Sequence, residues 1–180
     1  SYVDTISSSI GCDSIVYTNL TIYSQLLISG GIPNNTIGGG SYYSGSQHLE
    51  MSCYLNSELV SAVVYSDDTT LTTFEIRDDN GVVLDSVTVN VIPGGHRIYF
   101  NYNMSAGTDY ELGVSGASDG LFRNNSGVNY PYNFANVAAI NSSSAGGNYY
   151  YFFYDVQVRA LSIAALTTNY TFCDGDSITI

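Results

Sequence analysis

Few residues in this 180-residue chain are of the types that make or break bonds, and their spacing organises no reaction. The histidines are His48 and His96. His96 follows Pro93-Gly94-Gly95 and precedes Arg97, a stretch that reads as a hairpin turn, and no nucleophile motif accompanies it. His48 and Glu50 would share one face of an extended segment, but a metal centre needs more ligands than these. The P-loop, G-x-S-x-G, H-E-x-x-H and C-x-x-C motifs are absent. Carboxylate pairs of the glycosidase kind lie far apart in a sequence, and no pattern here singles one out. The chain therefore reads as a non-enzyme with no cofactor.

Two other constellations could bind rather than react. Asp67-Asp68 with Asp78-Asp79, and Asp174-Gly175-Asp176, supply the oxygens that calcium prefers, without the EF-hand spacing. Asp and Asn populate turns for local hydrogen-bonding reasons, so no metal site is expected. Arg123, Asn124, Asn129, Tyr130 and Tyr132 combine planar hydrogen-bonding groups with flat apolar faces, the chemistry of a sugar site. A packed Tyr-rich loop or a contact between copies uses the same residues, and that reading ranks above sugar recognition.

Composition narrows the partners. Four Arg and no Lys stand against sixteen acidic residues, for a net charge of −12. Nucleic acid and anionic membrane surfaces both need clustered cations, so neither is expected. No apolar run approaches the roughly 20 residues of a membrane helix. Any targeting segment is expected to lie upstream or to have been removed. Seventeen Tyr, no Trp and abundant Ser, Thr, Asn and Gly describe a polar, uncharged surface, common on secreted proteins that carry or face glycans. Three cysteines are an odd number, which hints at a bond between chains or a buried free thiol. Cys53, among Met51, Tyr54 and Leu55, reads as a small core residue.

The elements that would position these residues are strands. Asp13 to Tyr23 is rich in β-branched residues and alternates. Gly30 to Ser46 reads as a Gly-rich linker. From Gln47 onward, alternating segments at Leu59–Tyr65, Leu71–Arg77, Val82–Ile92, Arg97–Tyr102 and Tyr110–Val114 are separated by turn signals, among them Asn80-Gly81. Ser115 to Asn148 is poor in strand signal and reads as a long loop. Tyr149–Val158 is the last clear strand, with aromatic residues on both faces at its start, as in a central, covered strand. The pattern predicts an all-β fold, an antiparallel β-sandwich, with a jelly roll placed before an immunoglobulin-like topology.

The chain ends carry a more specific signal. Tyr2-Val3-Asp4-Thr5 and Gly11-Cys12-Asp13-Ser14-Ile15-Val16-Tyr17-Thr18-Asn19-Leu20-Thr21 stand at the start, and Cys173-Asp174-Gly175-Asp176-Ser177-Ile178 at the end. They resemble the two halves, in reversed order, of a short Cys-bearing repeat of large secreted proteins of the Bacteroidota associated with type IX secretion. The middle resembles sandwich domains of the same proteins, in Arg77-Asp78-Asp79-Asn80-Gly81-Val82, Gly107-Thr108-Asp109-Tyr110-Glu111-Leu112-Gly113 and Arg123 to Tyr132. The resemblance implies four segments: half a Cys module over 1–29, a linker over 30–46, a sandwich over 47–160, and a connector with the other half-module over 161–180. It also implies an extracellular or cell-surface location.

Several residue roles follow from that resemblance alone. Cys12 and Cys173 would pair, joining one copy to the next or closing the chain on itself if its ends meet. The strand around Ile178 and Ile180 would pair with Ile15, Tyr17, Leu20 and Ile22 of a neighbouring copy. O-glycans would sit on Asp-Ser/Thr sites at Thr5, Ser14, Thr69, Ser86 and Ser177. The function implied is a structural or adhesive repeat that assembles head to tail, in one polypeptide or in separate copies, with surface glycans as further partners. A carbohydrate-binding module of a larger secreted protein is the alternative; it requires an open aromatic groove between Phe122 and Phe134 and a monomer.

Overall fold

The computed structural model describes residues 2–6, 14–22, 26–161 and 164–171. The chain divides into two compact units, one drawn from both ends (Ser1–Gln25 and Ser162–Ile180) and one from the middle, Leu26–Leu161. The middle unit is thus inserted into the terminal one.

Sixteen strands and no helix occur among the described residues. In chain order they are β1 (Tyr2–Ile6), β2 (Ser14–Ile22), β3 (Leu27–Gly30), β4 (Gly39–Tyr43), β5 (Leu49–Cys53) and β6 (Ser57–Ser66). Then come β7 (Thr70–Asp78), β8 (Val83–Val91), β9 (Gly94–Met104), β10 (Thr108–Val114) and β11 (Leu121–Ser126). The last are β12 (Tyr132–Phe134), β13 (Ala138–Ser143), β14 (Tyr150–Tyr151), β15 (Tyr154–Ala160) and β16 (Ala164–Thr171).

The terminal unit is a three-stranded antiparallel sheet in the order β1-β2-β16. Strand β2 is central. Its register pairs Tyr2 with Thr18 on one side, and runs from Ala164–Ile22 to Thr171–Ile15 on the other. The β-branched run from Ser14 to Ile22 suits a strand with a partner on both edges.

The middle unit is an antiparallel β-sandwich. One sheet has the order β12-β13-β5-β10-β7-β8; the other runs β14-β11-β6-β15-β3, with β4 beside β11 and β9 beside β6. Alternation decides which side chains meet between the sheets. Leu49, Met51 and Cys53 on β5, Phe74 and Ile76 on β7, and Leu112 and Val114 on β10 are buried from the first sheet. Leu59 and Val64 on β6, Ile98 on β9, and Tyr154, Val156 and Val158 on β15 are buried from the second. Phe74 and Phe153 meet edge to face across the core with centroids 5.8 Å apart.

Three stretches differ from their sequence reading. The segment taken as a linker, 30–46, belongs to the sandwich: β4 pairs with β11 from Tyr43–Leu121 to Gly39–Ser126, and Ile32 is buried. The segment taken as a long loop holds β11, β12 and β13, which are short and carry Asn, Ser and Ala where apolar alternation would announce a strand. The strand read over Tyr149–Val158 is broken, because Phe152 and Asp155 have φ of 67° and 40°. The break lets Tyr150, Tyr151, Phe152, Phe153 and Tyr154 all be buried, which an unbroken alternating strand on a one-sided sheet cannot do.

Candidate functional site

The Arg123–Tyr132 segment was the leading recognition candidate, and the fold consumes most of it. Asn124 on β11 is fully buried. Its Nδ2 donates to the Ile37 carbonyl at 2.7 Å, and its Oδ1 accepts from the Tyr154 hydroxyl at 2.7 Å. A ligand could not use that amide without breaking both. The Tyr130 hydroxyl donates to the Tyr149 carbonyl at 2.8 Å, and the backbone N–H of Asn129 donates to the Tyr132 hydroxyl at 2.9 Å. Tyr130 and Tyr132 meet edge to face at 5.3 Å and both lie against Tyr150. Burial pushes the Tyr130 hydroxyl up, out of the ordinary tyrosine range. These rings extend the core instead of lining an open groove.

Arg123 is different. Its guanidinium lies between two rings, with Cζ 5.0 Å from the Tyr43 centroid and 4.9 Å from that of Tyr149. Such stacking satisfies the face of the cation. It leaves the N–H groups unanswered: Nε and Nη1 are buried without an acceptor. The remaining arginines are all paired. Arg77 bonds Glu75 at 2.6 Å and lies 3.9 Å from Glu111, Arg97 bonds Asp155, and Arg159 bonds Glu58 at 3.0 Å. Sequence reasoning selected Arg123 but missed Tyr43 and Tyr149, which reach it only through the β4–β11 and β11–β14 pairings.

The outer face of the first sheet is acidic. A cavity of about 250 Å³ is lined by Glu50, Ser52, Asp79, Asp109, Glu111 and Asn141, together with Met51 and Tyr110. Ser52 donates to Asp109 at 2.5 Å and receives Asn141 Nδ2 at 2.7 Å, while Ser142 donates to Glu50. His48 does share this face with Glu50, but its partner is Glu111, at 3.3 Å. No group of three or more potential metal ligands assembles among the described residues. Asp67-Asp68 and Asp78-Asp79 fall at opposite ends of β7, so they form no joint cation site. Asp174 and Asp176 lie outside the described residues.

The remaining candidates divide between the two units. Ile15, Tyr17, Leu20 and Ile22 are on β2, where the pairing assigned to a neighbouring copy is already made within the chain, by β1 and β16. Ile178 and Ile180 lie outside the described residues, as do Cys12 and Cys173. The last described pair is Thr171 with Ile15, so these cysteines stand two and three residues beyond it in sequence. Cys53 is buried and free; its thiol donates to the Leu55 carbonyl at 3.0 Å and lies 3.2 Å from Ser57 Oγ. Thr5, Thr69 and Ser86 are exposed, Ser14 is on β2, and Ser177 lies outside the described residues. The Asp68 and Asp85 carboxylates each accept from the backbone N–H of the following residue, at 2.7 and 2.8 Å. Compared with protein-family models, with curated proteins and with solved structures, this chain finds no match.

Proposed function

We propose that the chain is an extracellular structural or adhesive repeat unit that assembles head to tail with further copies of itself. One observation carries this reading: the first and last described strands of the chain share one small sheet, and the sandwich is inserted between them. Such nesting in the chain makes the terminal sheet the part through which copies would join. Because β2 is paired on both sides, a neighbouring strand would add beside β1 or β16, the outer strands of that sheet among the described residues. Disulfide linkage through Cys12 and Cys173 would lock that joint. A contact of this kind that does not close on itself generates a filament.

The packing of Tyr130 and Tyr132 against Tyr150 speaks against the alternative, a carbohydrate-binding module with an open aromatic groove. Peptide mapping of native material before and after reduction tests the reading. A Cys12–Cys173 peptide, with a ladder of high-mass species or one very large polypeptide, supports it. Both cysteines free and a bare 19.4 kDa species under every condition would remove it.

A further inference from the structure

The margins of the sandwich are not guarded alike. A sheet edge left long, regular and uncharged invites another strand, and folds ordinarily blunt such edges with brevity, bulges, proline or lysine. Strands β14, β12, β3 and β4 have two, three, four and five residues. Strand β9 is long, but its register with β6 shifts between Leu59 and Ser61, and Asn101 on it has a φ of 51°. Strand β8 is the exception. It has nine residues, lies at the outside of its sheet among the described residues, and keeps an unbroken register from Thr70–Val91 to Ile76–Asp85. We propose that β8 pairs with β8 of a second copy, antiparallel about a two-fold axis at Thr88, so that two sandwiches share one continuous sheet.

The sequence of this edge selects its own copy as the partner. A two-fold contact must be self-complementary, because each residue meets the residue of the other copy equally far from the axis. Leu84-Asp85-Ser86-Val87-Thr88-Val89-Asn90-Val91-Ile92 is close to a palindrome in polarity about Thr88. In antiparallel pairing Val87 meets Val89, Ser86 meets Asn90 and Leu84 meets Ile92, each twice. Val87 and Val89 are half-buried against the core, and Ser86, Thr88 and Asn90 are exposed on the opposite face. Apolar side chains therefore meet beside the core and polar ones meet in water. Leu84 and Ile92, 42% and 51% exposed in the single chain, cover each other. An axis at Val87 or Val89 would set Leu84 or Ile92 against a polar residue instead.

Charge permits the contact. The chain carries −12, yet Asp85 is the one charged residue of β8. With the axis at Thr88, Asp85 falls opposite Val91, the one mismatch of the palindrome. The two Asp85 carboxylates then stand six positions apart, roughly 20 Å at strand rise, well beyond the screening length of ~8 Å in physiological salt. Glu75, opposite Ser86 on β7, is bonded to Arg77 at 2.6 Å, so its charge is already answered. A two-fold contact closes after two copies, which makes it separate from the head-to-tail joint.

The test is disulfide trapping in the full chain. Facing residues of an antiparallel pair have Cα atoms roughly 4.5–5.5 Å apart, within the reach of a disulfide. Thr88→Cys should therefore link to itself in a glutathione buffer, with peptide mapping finding position 88 joined to position 88. Ser86→Cys should not link to itself, since its counterpart lies four positions along the strand, but should link to Asn90→Cys in a mixture. Under reducing conditions wild type should form a reversible species of twice 19.4 kDa. Thr88→Lys sets two cations face to face and should weaken it at least about tenfold. Self-linking of Ser86→Cys as fast as Thr88→Cys reports random collision and overturns the contact. Failure of Thr88→Cys to link does the same. A Thr88→Lys variant that associates as wild type does overturns the shared edge and spares the head-to-tail reading. A reversible dimer with no larger species, oxidised or reduced, supports the edge and counts against the head-to-tail joint.

Discussion

The Tyr154 hydroxyl donates to Oδ1 of Asn124 at 2.7 Å, and both residues are fully buried. This bond joins β15 to β11 and converts an apparent ligand-binding asparagine into a fixture of the core. Tyr154→Phe should cost about 1–2 kcal/mol, because the Asn124 carbonyl is left buried without its donor. Asn124→Ala should cost more, since it also abandons the Ile37 carbonyl. Urea titrations of the variants measure both, and equal stability of Asn124→Ala and wild type would refute the assignment.

Tyr150 and Tyr154 are held protonated by burial, which raises both well above the ordinary tyrosine range. An acid whose folded pKa is raised contributes no pH dependence while both states stay protonated. Stability is therefore full below about pH 10, where unfolded tyrosine ionises, and falls as pH rises beyond it. Phenolate absorbance should show exposed tyrosines titrating first and the buried ones appearing in one step with loss of the fold. Smooth titration of all seventeen without unfolding would contradict this.

Gly31 has φ of +78°, and a Cβ there would run into the Tyr150 hydroxyl. Gly31→Ala should destabilise the sandwich by at least about 2 kcal/mol, from backbone strain and overpacking together. Thermal melts measure it, with Gly107→Ala as the comparison: φ is +76° there, but nothing crowds the Cβ, so only the strain remains.

The Cys53 thiol is buried, and desolvation pushes it up from its usual range. It should react with a thiol reagent only after denaturation, and peptide maps should find it unpaired. Rapid labelling in the native state would argue against its burial at the end of β5.

Exposed Thr69 and Ser86 are the described sandwich positions open to the O-glycosylation that the resemblance implies. Native material should exceed the bare polypeptide mass, with the excess on Asp-Ser/Thr peptides. A bare 19.4 kDa mass removes that expectation.

The sandwich was legible wherever one face is apolar, as in Leu71–Arg77 and Arg97–Tyr102. Alternation fails at β4 and β11–β13, where Gly, Ser, Asn and Ala interrupt the apolar pattern even at buried positions such as Asn124, Ala138 and Ala139. It fails again at Phe152, where a positive φ reverses the faces in mid-run. Arg123 could be chosen as the one arginine set among Asn and Tyr, but its two rings come from 80 residues before it and 26 after it. Nothing local in sequence brings those together. The acidic cavity was missed for the same reason, since Glu50, Asp109 and Glu111 meet only through the β5–β10 register.

Self-assembly is the central claim, and sedimentation velocity of the wild-type chain across a dilution series, with and without reductant, tests it most directly. The account predicts species larger than 19.4 kDa whose share grows with concentration, and which shrink but persist when disulfides are reduced. A single 19.4 kDa boundary at every concentration, in both conditions, would contradict it.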